Sequence, residues 1–447
     1  MLRVRIFLQD HLTSFRMIPV SFILMILAGA GLLCLPISSA GGEKVSFLNA
    51  LFTSTSAVCV TGLVVFDTAA KWTLFGRTVI LVLIQVGGLG VITAAVATLS
   101  LTGMQIGLLP RLAMQDAVSA PQIGGIVRFI KFLITGTFCI EGIGALCLLP
   151  FFATRHGLAA GAGYAVFHAV SAFCNAGFDL MGSSQQQFVS LTSCSTDVVV
   201  NVVIMLLIIF GGIGFLTWED LLATRFRLRK LRLQTKLILI TTGLLLLLPF
   251  LFFYLCEFRS LPAKERLLYS LFQSVTPRTA GFNTYDYAQM SESGWLVTIL
   301  LMMTGGAPGS TAGGMKVTTL AVLVLSASTF LGRKEDVNCF RRRIDPEVVH
   351  NSMTLLTLYT TLLLAGTLVL STLEGLPILP SMFECASALG TVGLTTGITP
   401  GLGAASRILL ILFMFFGRIG GLTLGYALAS SFRVNSGRFP AEKVSVG

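Results

Sequence analysis

Four short glycine-containing segments recur along the chain, and their main-chain carbonyls are the candidate functional groups. They are Val60-Thr61-Gly62, Asn175-Ala176-Gly177, Thr279-Ala280-Gly281 and Thr391-Val392-Gly393. Their glycines are 115, 104 and 112 residues apart, each close to one quarter of the chain. Glycine permits φ > 0, which successive carbonyls need if they are to point the same way. Gathered around one axis, four such segments could replace the hydration shell of a cation with peptide oxygens.

The surroundings of these segments indicate which cation they would hold. Carboxylates, the usual ligands of calcium and magnesium, do not cluster at the four glycines. Short helices in front of the segments would add a weak preference for positive charge through their C-terminal dipole ends. We therefore expect a monovalent cation held by neutral oxygens. Asp67, Asp179 and Asp286 follow their glycines closely, and they either concentrate cations at the mouth or are ordinary solvated loop residues.

A second candidate functional stretch runs from Thr304 to Lys316 inside an otherwise apolar segment. Its glycines and proline cannot continue a helix across a membrane. Irregular backbone at that depth survives only where protein buries it or where it lines a water-filled cavity. We expect a loop beneath the four turns that partly blocks the path, with a glycine-rich helix-packing seam as the alternative. The candidate gate residues are Gly305, Gly306, Gly309, Ser310, Thr311, Gly313, Gly314, Lys316 and Arg418.

Three charged residues lie inside apolar segments. A charge at the bilayer centre costs about 2.5–3.5 kcal/mol on insertion scales, so we expect Arg418 to face the path below the turns. There it would either oppose cations or hold the glycine-rich loop through its carbonyls. Lys316 either plays a similar part or extends to the cytoplasmic edge. Glu141 is expected to be partnered between helices rather than to bind the ion.

The composition requires a membrane around the chain. Of 447 residues, 54% are hydrophobic and 11% are charged, and the mean hydropathy is +0.85. A soluble domain has about 25% charged residues, so a soluble enzyme or binding domain is excluded. A membrane-embedded enzyme would need clusters of His, Asp or Glu inside its spans, whereas the four histidines are scattered. The nine cysteines have no CxxC or CxxxC spacing and indicate no metal site.

The basic residues indicate the orientation of the chain. Twenty of the 31 Lys and Arg residues fall in five segments that would share one side of the bilayer. Because loops rich in Lys and Arg stay in the cytoplasm, we expect both termini there. The net charge of +11 therefore reflects topology and is not a sign of nucleic-acid binding. The basic segments 225–236 and 341–343 would also contact lipid headgroups.

The elements that must position the four turns follow from hydrophobic patterning. Apolar stretches predict eight spans, near 18–36, 78–100, 129–152, 196–217, 236–256, 295–330, 353–373 and 406–431. A segment of roughly ten residues, too short to cross, lies between the members of each pair and predicts a re-entrant half-helix. We predict an all-α integral membrane fold of four repeats, each a helix, pore half-helix, selectivity turn and helix around a central pore. The predicted boundaries are 1–17 (cytoplasmic N-terminus), 18–103, 127–220, 235–333 and 350–431 (repeats one to four) and 432–447 (cytoplasmic tail).

The four turns carry a family resemblance. Together with the longer stretches 277–283 and 391–397, they resemble the selectivity loops of the Trk/Ktr/HKT superfamily of cation transporters, and the resemblance covers essentially the whole chain. Because the first span starts near residue 18, no helix pair precedes the first repeat, which favours the membrane subunit of the bacterial Ktr potassium uptake system over Trk subunits. Glycine in all four turns goes with potassium selectivity in this superfamily. The resemblance implies K+ at the carbonyls of the turns, uptake that depends on Na+, a gate loop at 304–316 and the inner membrane as location.

The resemblance also implies the partners. The chain has no Walker motif, and Val86-Gly-Gly-Leu-Gly-Val91 lies in a membrane helix instead of following a strand. No cofactor is therefore expected in this chain, and regulation by nucleotide would come from another subunit. Ktr-like proteins are homodimers docked on a cytoplasmic ring of nucleotide-binding RCK subunits, with the C-terminal tail at the dimer interface. The alternatives are a Trk-type subunit, a sodium-conducting member, or a secondary transporter with inverted repeats, which the parallel orientation of the four units fits less well.

Overall fold

Helices make up almost all of the regular structure in this computed structural model, which describes residues 14–91, 93, 126–183 and 185–421. The predicted tail 432–447 and most of the predicted N-terminal segment 1–17 lie outside these residues. The β structure in the described part is one short antiparallel pair, β1 (Asn338–Cys339) with β2 (Arg342–Arg343). The described part of the chain is thus mostly helical, as the sequence predicts.

The helices fall into four groups along the chain. The first group is α1 (Ser14–Leu33), α2 (Phe47–Val58), α3 (Thr68–Lys71) and α4 (Leu74–Leu89). The second is α5 (Ile126–His156), α6 (Leu158–Phe173), α7 (Val198–Ile213) and α8 (Phe215–Ala223). The third is α9 (Leu233–Phe252), α10 (Ala263–Val275), α11 (Glu292–Met302) and α12 (Val317–Leu331). The last is α13 (Pro346–Glu374), α14 (Ile378–Gly390) and α15 (Ala404–Ile419).

Short irregular helices join these elements. A π-helical turn, Phe253–Glu257, extends α9. The 3₁₀ turns are Pro36–Ser38, Ser190–Cys194, Leu228–Lys230, Tyr287–Gln289 and Thr399–Gly401. Three of the five, Ser190–Cys194, Tyr287–Gln289 and Thr399–Gly401, lie between a glycine turn and the helix that follows it, so they shape the connections and leave the helices themselves regular.

Among the residues that the structure describes, three helices are long and apolar enough to cross a membrane, namely Arg128–His156, Leu233–Glu257 and Pro346–Glu374. A fourth crossing results if α7 and α8, which are bent by 88° relative to each other, are counted as one span. Other predicted spans correspond to shorter apolar helices within the described residues. On the outer helices Leu24, Leu146 and Leu248 are 63%, 69% and 61% exposed. Apolar side chains exposed in this way suit a lipid environment and would be a liability in water.

The short helices α2, α6, α10 and α14 form the centre. Every residue of α2 from Phe52 to Val58 is buried, and so is every residue of α14 from Phe383 to Gly390. A helix that is buried on all sides must be surrounded by other elements, and the longer helices supply that cover. The central helices therefore hold the turns that follow them in fixed positions.

Three helices that follow a turn end at a glycine in the left-handed region. Gly90, Gly214 and Gly420 have φ values of 88°, 92° and 89°. Other residues rarely adopt such values, so glycine permits the abrupt change of direction at each helix end. The corresponding helix of the third group, α11, ends earlier, at Met302, and the glycine-rich stretch follows it.

Candidate functional site

The glycines of the four predicted turns lie side by side in a closed ring. A Cβ atom placed on each glycine would press against the main-chain oxygen just before the next glycine, at 2.5 to 2.8 Å in the first three pairs and closer in the fourth. The pairs are Gly62 with Ala176, Gly177 with Ala280, Gly281 with Val392, and Gly393 with Thr61. Because the order follows the chain and returns to its start, the four turns surround one axis. No side chain fits at any of the four positions.

The first residue of each turn is also left-handed, which the sequence analysis did not anticipate. Val60, Asn175, Thr279 and Thr391 have φ values of 57°, 58°, 66° and 51°. Asparagine tolerates this region, but β-branched residues adopt it only under constraint. Backbone strain of this kind persists where the surrounding structure imposes it, typically at functional sites. Two left-handed residues in each turn set the directions of the carbonyls.

A hydroxyl group behind each turn holds it in place. The Ser56 and Ser387 hydroxyls accept hydrogen bonds from the N–H groups of Gly62 and Gly393, both at 3.0 Å. In the other two turns the hydroxyl donates instead. Ser171 donates to the oxygen of Phe178 at 2.6 Å, and Thr276 donates to that of Phe282. These four hydroxyls are supporting residues that sequence reasoning missed, although each lies five or six residues before its glycine and an alignment of the four segments would have found them.

The glycine-rich stretch packs directly against the third and fourth turns. A Cβ atom on Gly313 would collide with the Thr391 hydroxyl, and one on Gly305 would lie 3.2 Å from the Thr279 methyl group. The stretch is irregular apart from an isolated bridge between Thr304 and Met315. Its glycines therefore allow the loop to approach the left-handed residues that open these two turns.

Main-chain hydrogen bonds fasten this loop to two neighbouring helices. The N–H of Ala307 donates to Gly212 of α7 at 2.9 Å, and the N–H of Gly314 donates to Gly417 of α15 at 3.0 Å. The Thr311 hydroxyl donates to the oxygen of Phe173 at the end of α6, at 3.0 Å. The predicted gate residues of the loop are thus bonded to the C-terminal ends of helices that surround the turns.

Arg418 connects the loop to the helix after the first turn. Its guanidinium donates to the main-chain oxygens of Thr311 and Gly87, and to that of Gly88 at 3.1 Å. Of the two roles expected for Arg418, contact with loop carbonyls is therefore the geometry observed. Lys316 does not extend away from the loop, because its Nζ donates to the oxygen of Ala312 at 2.7 Å.

Arg418 of α15 lies at a helix position where the equivalent residue of α4 and of α7 is a glycine. Gly87, Gly211 and Gly417 each pack against the last carbonyls of the short helix in their own group. The residues that follow them are Gly88, Gly212 and Arg418. The fourth group thus places a cation where the first two groups have no side chain at all.

A cavity of about 330 Å³ lies beyond the loop. Its walls include Ser310, Lys316, Tyr359 and Arg418 among apolar and glycine residues. Both intramembrane cations of the predicted gate therefore face the same space as the loop. A cavity of this volume holds several water molecules, which is where irregular backbone at membrane depth is tolerated.

The three aspartates after the turns are engaged by main-chain N–H groups. Asp67 is buried and accepts from Ala70 and Phe188, both at 2.8 Å. Asp179 accepts from Met181 at 2.9 Å, and Asp286 accepts from Ala288 at 3.0 Å as a helix cap. Asp67 therefore joins the segment after the first turn to the segment after the second.

Other polar residues in the apolar segments are paired within the protein. Glu141 accepts a hydrogen bond from Gln85 on α4 at 3.3 Å, so it is partnered between helices. His168 is buried, stacks on Phe152 and accepts from the N–H of Leu180 at 3.3 Å. Within the described ranges no group of three or more His, Cys, Asp or Glu side chains could hold a metal ion.

Comparisons with known proteins agree over nearly the whole chain. A family model described as TrkH, cation transport protein, matches residues 11–439. The potassium/sodium uptake protein NtpJ of Enterococcus hirae is 37% identical over 98% of both chains. The Ktr system potassium uptake protein B of Bacillus subtilis is 39% identical over 97% of this chain and 96% of its own length. Among solved structures, the potassium transporter TrkH from Vibrio parahaemolyticus shares the fold with a TM-score of 0.73 at 21% identity, over 94% of this chain and 85% of that one.

Proposed function

Because this chain belongs to the TrkH family of cation transport proteins, as its resemblance predicted, we propose that it moves K+ inward through the ring of four glycine turns. It is a multi-pass membrane protein of a transporter family and not of an enzyme class. Its full-length relatives carry the names of potassium and potassium/sodium uptake proteins. The observation that carries the proposal is the closed ring of Gly62, Gly177, Gly281 and Gly393.

In the proposed filter the ion exchanges its water shell for peptide oxygens. Each glycine packs on the carbonyl that precedes the glycine of the next turn, so main-chain groups and not side chains surround the proposed path. Neutral oxygens in a ring favour a monovalent cation. A cytoplasm-negative potential of 100 mV favours entry of each K+ by about 2.3 kcal/mol, so the inward direction needs no further energy source.

The proposed gate is the loop from Gly305 to Gly314, held by Arg418. Its contacts with Thr279 and Thr391 support a closed state in which the loop covers the inner side of the filter. Moving it aside requires the guanidinium of Arg418 to release Thr311, while its bond to Gly87 of α4 holds the guanidinium in position. Lys316 and Arg418 would raise the electrostatic barrier for a cation while the loop is in place.

The finer assignments extend this proposal. We propose a subunit of the Ktr type, acting as a homodimer on a cytoplasmic RCK ring, and the name of the Ktr system supports partner subunits. The word sodium in the name of NtpJ supports a role for Na+. Placement of both termini in the cytoplasm rests on the distribution of basic residues, and placement in the bacterial inner membrane rests on the family resemblance.

The proposal is tested by growth and by flux. A bacterium that lacks its potassium uptake systems should grow at low external K+ when it expresses this chain, alone or with an RCK partner. Purified protein in liposomes should then take up K+ in preference to Na+. Uptake of Na+ in preference to K+ would favour the sodium-conducting alternative, and no cation flux in either assay would contradict the proposal.

A further inference from the structure

A buried arginine lies directly behind the third turn. Arg278 immediately precedes Thr279, and its side chain is 7% exposed. Its Nη2 lies 3.4 Å from the Thr242 hydroxyl of α9, its Nε has no hydrogen-bond partner, and apolar side chains of α7 and α9 line the small pocket beside it. No carboxylate among the described residues lies within 4.0 Å of the guanidinium. Because arginine stays protonated in proteins, this is a positive charge without a counter-ion.

A buried glutamate lies behind the fourth turn. Glu384 of α14 is fully buried, and it accepts hydrogen bonds from the segment that follows Gly393. The donors are the Thr395 hydroxyl, the Thr396 N–H at 3.3 Å and the Thr399 hydroxyl at 2.9 Å. Three donors suit an ionised carboxylate, which only accepts. In the part of the chain that the structure describes, no Lys or Arg pairs with it within 4.0 Å.

We propose that Arg278 and Glu384 set the affinity of the glycine ring for its cation, as two buried charges of opposite sign that no counter-ion neutralises. This inference rests on the proposed function of the ring. Both residues are attached to the turns themselves, Arg278 as the neighbour of Thr279 and Glu384 through the threonines after Gly393. Buried charges are screened less than exposed ones, so each acts on an ion in the ring without touching it.

The two charges act in opposite directions. Glu384 stabilises a cation in the ring, and Arg278 destabilises it. Transport requires binding that is strong enough to remove water from the ion and weak enough to release it. Two opposed charges keep the affinity between these limits, because each offsets the effect of the other and neither dominates the binding of the ion.

The opposite signs separate this role from a purely structural one. Loss of a structural contact at either position would distort the turns and weaken K+ binding in both variants. A neutral side chain is compatible with the fold behind a turn, because Gln273 of α10 is buried in the corresponding part of the third short helix and accepts from Tyr287. Glu384→Gln therefore removes charge with little change in size, and Arg278→Gln removes charge while keeping a polar, though shorter, side chain.

The test measures equilibrium binding of K+ to the purified full-length chain by calorimetry. Glu384→Gln should raise the K+ dissociation constant about three- to tenfold, Arg278→Gln should lower it by a similar factor, and the double variant should lie near the unmodified chain. Arg278→Lys, which keeps the charge, and Thr242→Val, which removes only the hydrogen-bond partner, are the matched controls and should change affinity little.

The direction of the two shifts in the K+ dissociation constant supports or overturns the inference. Shifts in the same direction, or no shift in either variant, overturn the inference. If Arg278→Gln does not yield folded protein, Arg278→Met takes its place, because the opposite direction of the two shifts is what separates the proposal from a structural role, and an unchanged dissociation constant for Glu384→Gln overturns the proposal by itself. If the unmodified chain binds no K+, the proposed function fails, and the inference that depends on it fails with it.

Discussion

Arg418 of α15 donates a hydrogen bond to the main-chain oxygen of Thr311 in the loop between α11 and α12. The same guanidinium donates to Gly87 and Gly88 at the end of α4. One side chain thereby joins the loop to two helices that follow different turns. If the loop moves away from the turns while α15 stays in place, the bond from Arg418 to Thr311 has to break, and it is of the stronger, charge-assisted kind.

Replacing Arg418 by Gln should increase K+ flux through the chain in the absence of any partner subunit. Hydrogen bonds to charged groups contribute about 1.5–3 kcal/mol, so the loss of one shifts the balance between closed and open loop by about ten- to hundredfold. Flux into liposomes that contain only this chain is the measurement. Arg407→Gln is the matched control, because Arg407 is on the same helix and bonds to Asn49 and Pro400 away from the loop. Equal flux from Arg418→Gln and the unmodified chain, at equal protein content, would contradict the role assigned to Arg418.

Shortening the loop within residues 305–314 should also raise flux without a partner. The loop fills the space beneath the turns, where Gly313 packs against Thr391 and Gly305 against Thr279, so a shorter loop cannot reach both. Flux of K+ into liposomes is again the readout. Deletion of Gly41 and Gly42, which lie in open surroundings outside the helices, provides a control of similar chemistry. A shortened loop with unchanged low flux would show that the block lies elsewhere.

Gly281→Ser should weaken the preference for K+ over Na+. At φ 78° a serine is strained, and its Cβ would lie 2.5 Å from the oxygen of Val392, so the carbonyls of two turns must move. Gly62→Ser should act in the same way, with its Cβ 2.5 Å from the oxygen of Ala176. Competition of Na+ with K+ uptake is the measurement. Gly163→Ser is the control, because a Cβ there meets nothing within 4 Å, and the assignment of the turns fails if Na+ competes equally in all variants.

The sequence revealed the glycines of the ring because no other residue fits at those positions. Each glycine faces a carbonyl of the next turn, where a Cβ atom would not fit. Glycine is therefore required at each of the four positions, and these positions recur about every quarter of the chain. The resemblance to the Trk/Ktr/HKT superfamily, which rested on these residues, is confirmed by the family comparison. The left-handed φ of Val60, Thr279 and Thr391 could not be predicted, since local preference opposes it and contacts from elsewhere in the chain impose it.

Residue type alone does not identify which glycine of each helix after a turn packs on the short helix of its group. The pair Gly420-Gly421 looks like the counterpart of Gly87-Gly88 by residue type, yet Gly417 is the residue that packs on its short helix. Arg278 and Glu384 escaped notice for a different reason. A charged residue indicates a functional role when it is buried without a counter-ion. The sequence places Arg278 beside a turn and Glu384 in a short amphiphilic helix, but only the tertiary structure shows that both are buried and lack a counter-ion.

Asp67→Ala should destabilise the protein more than it impairs K+ binding. Asp67 is buried and bonds to Ala70 and to Phe188, so its loss separates two outer segments and leaves two N–H groups without an acceptor. Removing a charged acceptor of this kind costs about 2–4 kcal/mol, which should appear as a lower melting temperature in detergent at saturating K+. Asp286→Ala is the control, since Asp286 is exposed and bonds only to nearby groups, and a lost helix cap costs about 1 kcal/mol. If instead Asp67→Ala keeps its melting temperature and binds K+ several times more weakly, the aspartate acts by concentrating cations and its hydrogen bonds are secondary.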